Sequence, residues 1–375
     1  MIINNAKVYR SGHFESTSIE FDSHIRSFSP GEGLDACGAY IIPGLIDVHT
    51  HGAMGIDASD CTAEQIHHLA QFYSDNGVTS FCFTTLTVPA DELRGAMKNI
   101  RTYERFGGEA KCAGVHLEGP FVSRGKCGAQ NPDNIRKPDI ALFNELNELS
   151  GGIVRLITVA PEVEGALDFI REASKVCTVS LGHSTADYDQ AMAGFEAGAT
   201  HVTHLFNGME PFHHRKPGLA GAALTAGANV ELICDGVHIH PAMIMAVHKM
   251  FGDRLIIVSD SLRCAGLCDG RYNLGGLPMI VRDGRATLLD GTIAGSSSNL
   301  LQELRNVVSY GVPLEAAVKA MTETPAKDIG VFDSIGSLEV SKCADFLVLN
   351  KDLKLMATFI DGKLVNGTTD FESVK

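Results

Sequence analysis

No apolar stretch in this sequence approaches the ~20 residues that a membrane-spanning helix needs. The first ten residues, "MIINNAKVYR", lack the basic segment and apolar run of a secretory leader. A membrane-embedded or exported chain is therefore not expected. Positive charge is also scarce: lysine and arginine number 31 against 45 aspartates and glutamates, a formal net charge of −14. That balance argues against partners with a phosphate backbone or an anionic membrane surface, although a local basic cluster can still take a small anion. The ten cysteines form no C-x-x-C pair. Scattered in this way they read as reduced thiols of a cytoplasmic protein. Cys264 and Cys268 flank one loop, but with no second pair nearby they too read as free thiols. Fixed-period repeats, low-complexity segments and long linkers are absent as well.

What is there is a regular alternation. Eight short apolar, β-branched runs recur: "YIIPGLIDV", "VTSFCFTT", "KCAGVHLE", "VRLITVA", "CTVSLGH", "THVTHLF", "NVELICD" and "RLIIVSD". Amphipathic stretches such as "TAEQIHHLAQFYSDNG" and "HPAMIMAVHKMFGD" lie between them. Strands apolar on both faces, separated by helical patterns, indicate parallel βαβ units. Eight such units predict an α/β fold of the closed (β/α)8 type. The two ends differ, with short alternating segments and tight turns. Neither end can hold a core alone, so residues 1–43 and 334–375 are expected to pair into a small β-sandwich beside a barrel over 44–333.

The strand ends carry the chemistry. In "IDVHTHG", His49 and His51 are one residue apart. On a strand they share a face, about 6–7 Å apart, where two imidazoles can hold a metal or simply hydrogen-bond. Further along, Glu118 ends the third run, His183 the fifth, His204 the sixth and Asp260 the eighth, while the seventh leads to Asp235 and His238. A barrel places its active site at the carboxyl ends of its strands. Six ionisable clusters at six such ends are hard to explain as packing. The donor types suit a divalent ion such as zinc, iron, manganese or cobalt, one or two per chain, with Glu118 placed to bridge two ions and Asp260 left free for proton transfer. Other histidines read as structural. His116 lies one layer below Glu118, His201 should face away from His204, His67, His68 and His248 sit on helical stretches, and His213 and His214 lie in a loop.

At this point "PGLIDVHTHG", "HLEGPF", "GHS", "THLFNGM", "KPGLAGA", "DGVH", "VSDS" and "GTIAGSS" together resemble the N-acetylglucosamine-6-phosphate deacetylases of the amidohydrolase superfamily. The resemblance spans essentially the whole chain, including "GSLEVSKCADFLVLN". It implies hydrolysis of an acetamide on an amino-sugar phosphate, and homodimers in which one subunit completes its neighbour's site. Carried over by motif, Glu118, His183 and His204 match the constant metal ligands. His49 and His51 match a pair present in some members only, and Asp260 matches the catalytic acid/base. Ala129, Gln130, Asn207, Gly208, Arg215, His238, Ile293, Ala294 and Gly295 match substrate-binding positions, with Arg215 reaching the neighbouring subunit's site. Gln130 is a departure, because many members have a histidine there. Its amide can donate a hydrogen bond but cannot carry a proton.

Three rivals stay open on the sequence. The first is the same reaction on N-acetylgalactosamine 6-phosphate, which differs at one hydroxyl. The second is a cyclic-amide hydrolase of the dihydroorotase kind, disfavoured because no strand ends in lysine. The third is a non-catalytic barrel acting as an assembly module, disfavoured by the complete ligand set and Asp260.

Overall fold

Eight parallel strands make the central sheet of the computed structural model, which describes residues 1–371; residues 372–375, the end of the expected C-terminal segment, lie outside the described residues. In chain order the strands are β1 Leu45–Thr50, β2 Val78–Thr85, β3 Lys111–Glu118, β4 Val154–Val159, β5 Thr178–Leu181, β6 His201–Val202, β7 Asn229–Ile233 and β8 Leu255–Val258. Each pairs with the next. Backbone bonds just beyond the strand ends join the last to the first, with Asp260 N–H donating to His49 O at 2.9 Å and His51 N–H to Ser261 O at 2.8 Å. The barrel thus closes, and its seam runs through three of the predicted site residues.

Helices cover the outside: α1 Ala63–Asp75, α2 Ala90–Arg101, α3 Ile140–Leu149, α4 Ala166–Ala173, α5 Tyr188–Ala197, α6 Gly218–Ala226, α7 Pro241–Phe251 and α8 Leu300–Ser309. Their starts follow from local chemistry. Thr62 with Gln65, and Asp187 with Gln190, form reciprocal caps that satisfy otherwise orphaned N–H groups at α1 and α5. Two more helices, α9 Leu314–Met321 and α10 Glu323–Asp328, follow. Ala326 of α10 and nearby Ile329 pack with Ile46, Val48, Cys82, Ile233 and Val258 inside the barrel. The Asp328 backbone carbonyl accepts from Thr178 Oγ1 at the start of β5. The barrel's amino end is therefore plugged, and only the carboxyl end is open for chemistry.

Between β8 and α8 the chain inserts an antiparallel sheet of Gly270–Leu274, Leu277–Arg282 and Arg285–Leu288, which the sequence reading did not foresee. Its first turn is Gly275-Gly276 with φ of +55° and +89°, a backbone that the two-residue hairpin requires.

Both chain ends build a second sheet, in the order Lys363–Gly367, Leu355–Ile360, Phe346–Leu349, Tyr40–Pro43, Ile2–Arg10, His13–Phe21, Ile25–Ser27. Phe21 and Phe346 sit three strands apart, about 14 Å in a flat sheet, yet their rings are 4.9 Å apart. The sheet is rolled over its own apolar core, which gives the expected sandwich from one continuous sheet. Lys111 at the start of β3 ties this unit to the barrel through Asp345 at 2.8 Å and Asp361 at 2.6 Å. Among the described residues no helix is long and apolar enough to cross a membrane, and all ten cysteines are free.

Candidate active site

The strand ends deliver their side chains to one place. Glu118 Oε1 lies 3.0 Å from His183 Nε2 and 2.9 Å from His204 Nε2, and the two imidazole nitrogens are 3.1 Å apart. A second group adjoins it. His49 Nε2 and His51 Nε2 are 3.3 Å apart, and Asp260 Oδ1 lies 3.5 Å and 3.2 Å from them. Glu118 joins the groups, with Oε2 at 3.3 Å from His51 Nε2. Asp260, expected to stand apart from the ligands, belongs to the second group.

Two local devices make this possible. A register irregularity in β1 between Asp47 and Thr50 lets His49 turn inward directly after Val48, a core residue of the barrel interior. His183, His204 and Asp260 all take left-handed backbone, with φ of +46°, +26° and +46°. Such strain in non-glycine residues concentrates at functional sites. Here it ends each strand abruptly and turns the side chain over the mouth.

The donor set fits a divalent metal. Within each group the two Nε2 atoms are 3.3 Å and 3.1 Å apart, close to the edge of roughly 3.3 Å expected between nitrogens 2.0–2.1 Å from a tetrahedral ion. Three of these histidines offer the opposite nitrogen to an acceptor: His49 Nδ1 to Glu231 at 2.8 Å, His51 Nδ1 to Thr84 O at 3.1 Å and His183 Nδ1 to Lys126 O at 2.9 Å. A proton on Nδ1 leaves Nε2 as the ligand atom. Burial works against charge on His49, but Glu231, Asp260 and Glu118 outweigh it and raise its pKa to about 9. Burial equally opposes ionisation of Glu118, and the charges of His49 and His183 overcome it, holding the carboxyl well below its usual range. Asp260 is lowered in the same way, against burial, by His49 and His51. The site is built to hold negative oxygen beside positive charge.

Over it lies a cavity of about 200 Å³, lined by His51, Glu118, His183, His204 and Asp260 and by every predicted substrate position except Arg215. His49 lies buried behind it. Gln130 donates from Nε2 to Glu118 Oε2, and its Oε1 accepts from Thr87 N–H at 2.7 Å, which fixes the amide's orientation. His238 bonds Asp235 Oδ2 through Nδ1 at 2.8 Å and Ala294 O through Nε2 at 2.7 Å, strapping the Ile293–Gly295 segment to the wall. Asn207 and Gly208 pass beside His183. A Cβ on Gly208 would stand 2.9 Å from His183 Nδ1, so only glycine fits.

Arg215 is the exception. It is exposed, contacts His214 at 2.7 Å, and lines a separate groove with Glu210 and the Thr185–Asp189 segment that leads into α5. Within its own chain it does not reach the cavity. His201 also departs from expectation. β6 is only two residues long, so alternation cannot be extended to His204, and His201 meets Glu231 inside the barrel at 3.2 Å. His67 is half-buried against Glu109 rather than free on the surface. His116 does bond Thr158 Oγ1 at 2.8 Å, and burial pushes its pKa down to about 3. Glu231 itself was missed; its signal was a lone glutamate inside the apolar run "NVELICD". Leu86, Leu262 and Leu274 of the lining carried no sequence signal.

Residues 40–365 match the amidohydrolase family, and the chain belongs to that family. Among its relatives, the N-acetylglucosamine-6-phosphate deacetylase of Vibrio furnissii is 36% identical over 330 residues, 87% of this chain and 82% of the relative. The N-acetylgalactosamine-6-phosphate deacetylase of Escherichia coli O157:H7 is likewise 36% identical over 330 residues, covering 87% and 88%. A solved structure of a mutant N-acetyl-D-glucosamine-6-phosphate deacetylase from Mycobacterium smegmatis, in complex with N-acetyl-D-glucosamine-6-phosphate, superposes with a TM-score of 0.91 at 30% identity over 98% of this chain and 99% of that one.

Proposed function

We propose that this chain hydrolyses the acetamide of N-acetylglucosamine 6-phosphate to glucosamine 6-phosphate and acetate, in the breakdown of amino sugars. The observation that carries this reading is the pairing of two ligand groups across Glu118 with an ionised Asp260 at the floor of one small cavity. Glu118, His183 and His204 would hold a divalent ion, and His49 and His51, with Asp260 beside them, a second. Zinc, iron, manganese and cobalt all suit these donors. Bound there, such an ion lowers the pKa of water and polarises the amide carbonyl.

The protein's own groups do the rest. Asp260 accepts the proton of the attacking water and returns it to the departing amine, a role worth on the order of 10²–10⁴ in rate. Gln130, its carbonyl held by Thr87, presents an N–H beside Glu118 for the acetamide. His238 keeps the Ile293–Gly295 backbone in place against the sugar. Arg215, exposed and outside the lining of its own cavity, would supply the phosphate contact to a partner subunit in a homodimer, where its planar fork suits a phosphate. Ten free thiols suit a reducing compartment, the cytoplasm.

The galacto epimer is a second reading, because the relatives acting on the two sugars are equally similar to this chain. Acetate release from N-acetylglucosamine and N-acetylgalactosamine, each with and without the 6-phosphate, separates the readings. The 6-phosphate of the gluco sugar should give the highest kcat/KM. A preference for the galacto sugar would replace the substrate, and no acetate from any of the four would remove the deacetylase reading.

A further inference from the structure

Glu231 sits in the middle of β7, fully buried, with an apolar residue on either side in sequence. An ionised carboxylate is rarely left there without a task, because taking it out of water is costly unless it is paired. Its partners are specific. Oε2 accepts from His49 Nδ1 at 2.8 Å and from the backbone N–H of His204 at 3.1 Å. One oxygen thus ties together a histidine of each ligand group. The other oxygen, Oε1, lies 3.2 Å from His201 Nε2. His201 Nδ1 in turn meets Asp328 Oδ2 at 2.8 Å, and Asp328 Oδ1 accepts from Asn229 Nδ2 at 2.7 Å. Acid, imidazole, acid and imidazole alternate down the barrel axis, from the plug at α10 to the back of the second ligand group.

We infer that Glu231 is a positioning residue for the second metal ion, holding His49 with Nε2 toward the ion and anchored from below by His201 and Asp328. The inference rests on the two-ion reading given above. A carboxylate on the far nitrogen of a ligand histidine fixes its tautomer and ring orientation and increases its basicity, and loss of such a partner typically weakens metal binding about 10–100-fold. The first ion depends on Glu231 only through the His204 backbone, which needs an acceptor but not a charge. Glu231→Gln separates the two roles. The amide can keep its carbonyl oxygen on His49 and His204 and turn its NH2 toward His201, so charge is removed and shape is kept.

The test is titration of metal-stripped protein with Zn2+ against a chromogenic chelator, which reads each ion's Kd without activity. Wild type should bind two ions. Glu231→Gln should bind the first within about threefold of wild type and the second about 10–100-fold more weakly. Unaltered second-ion binding in Glu231→Gln overturns the inference. Saturation of wild type itself at one ion overturns the two-ion reading and the inference with it, and the two failures are distinguished by which protein shows them. Should Glu231→Gln not fold, His201→Gln leaves Glu231 in place and removes its anchor. A several-fold weaker second ion with an unchanged first is then expected, and equal binding of both overturns the inference.

Discussion

Asp260 shows how one side chain can serve two masters at the residue scale. Its carboxylate borders the second ligand group, yet the first group, Glu118, His183 and His204, is complete without it. Asp260→Asn should therefore keep the first ion and still lose activity by at least about 10²-fold. Metal analysis and acetate release on the same preparation check this, and turnover near the wild-type rate would mean that another base is at work. His49 makes a pH prediction. Its pKa in the metal-free fold is about 9, against 6.5 for an unperturbed imidazole. The proton bound to it stabilises the metal-free fold fully below pH 6.5, and that contribution is lost as the pH rises through about 9. An incoming ion must displace the same proton. Apparent affinity for the second ion should thus rise between pH 6.5 and about 9, by on the order of tenfold per pH unit if one proton is released. Chelator competition across that range tests it, and a flat profile would show that His49 is already neutral. That these side chains come together was legible in the sequence, because each lies at the end of a strand run and strand ends of a barrel converge. Glu231 was not, since nothing in one chain's spacing says which buried acid lies behind which histidine.

Elements were legible where a single period held. The eight strands, the helices between them and the sheet from both ends follow from apolar runs, caps and turns. Period failed where the backbone leaves regular geometry. β6 is too short for its alternation to reach His204, and the irregularity in β1 is what aims His49. The segment after the inserted sheet is a case in point. Ser296 N–H donates to Asp260 O at 2.7 Å and Leu262 N–H to Ser296 O at 2.9 Å, so Ser296 forms an isolated parallel bridge with Ser261, just beyond the end of β8. Gly295 passes so close that a Cβ there would lie 2.5 Å from Asp260 O and 2.9 Å from Asp260 Oδ1. Backbone atoms cannot step aside as a side-chain tip can. Gly295→Ala should push Asp260 out of line and lower kcat by about tenfold or more, in keeping with the cost of small misplacements in active sites. Circular dichroism should show an unchanged fold and metal analysis an unchanged first ion. An active Gly295→Ala protein would mean that the segment yields without disturbing Asp260.

The whole molecule decides the role of Arg215. "PFHHRKPG" is the most basic cluster near the rim of a protein with net charge −14, and an acidic protein that takes a phosphorylated sugar needs such a local reversal. In a single chain, however, the cluster is exposed and borders a groove of its own. The family resemblance puts Arg215 in a neighbouring subunit's site, and a single chain leaves that placement to be tested. If Arg215 binds the phosphate, Arg215→Ala should raise KM strongly for the 6-phosphate substrate and hardly change turnover of the unphosphorylated sugar. If it does so across a dimer, two defective chains should repair each other. Co-expressed Arg215→Ala and Asp260→Asn chains form some mixed dimers. In these, the cavity with intact Asp260 faces the intact Arg215 of its partner, so one of two sites regains activity at subsaturating substrate. An Arg215 acting within its own chain leaves both cavities of the mixed dimer defective, one without its base and the other without its phosphate contact. Recovery above the sum of the two parents, scaling with the mixed-dimer fraction resolved by differently tagged chains, places Arg215 in the neighbouring site. No recovery with mixed dimers demonstrably present would confine it to its own chain, where its loop would have to close over the cavity to reach a phosphate.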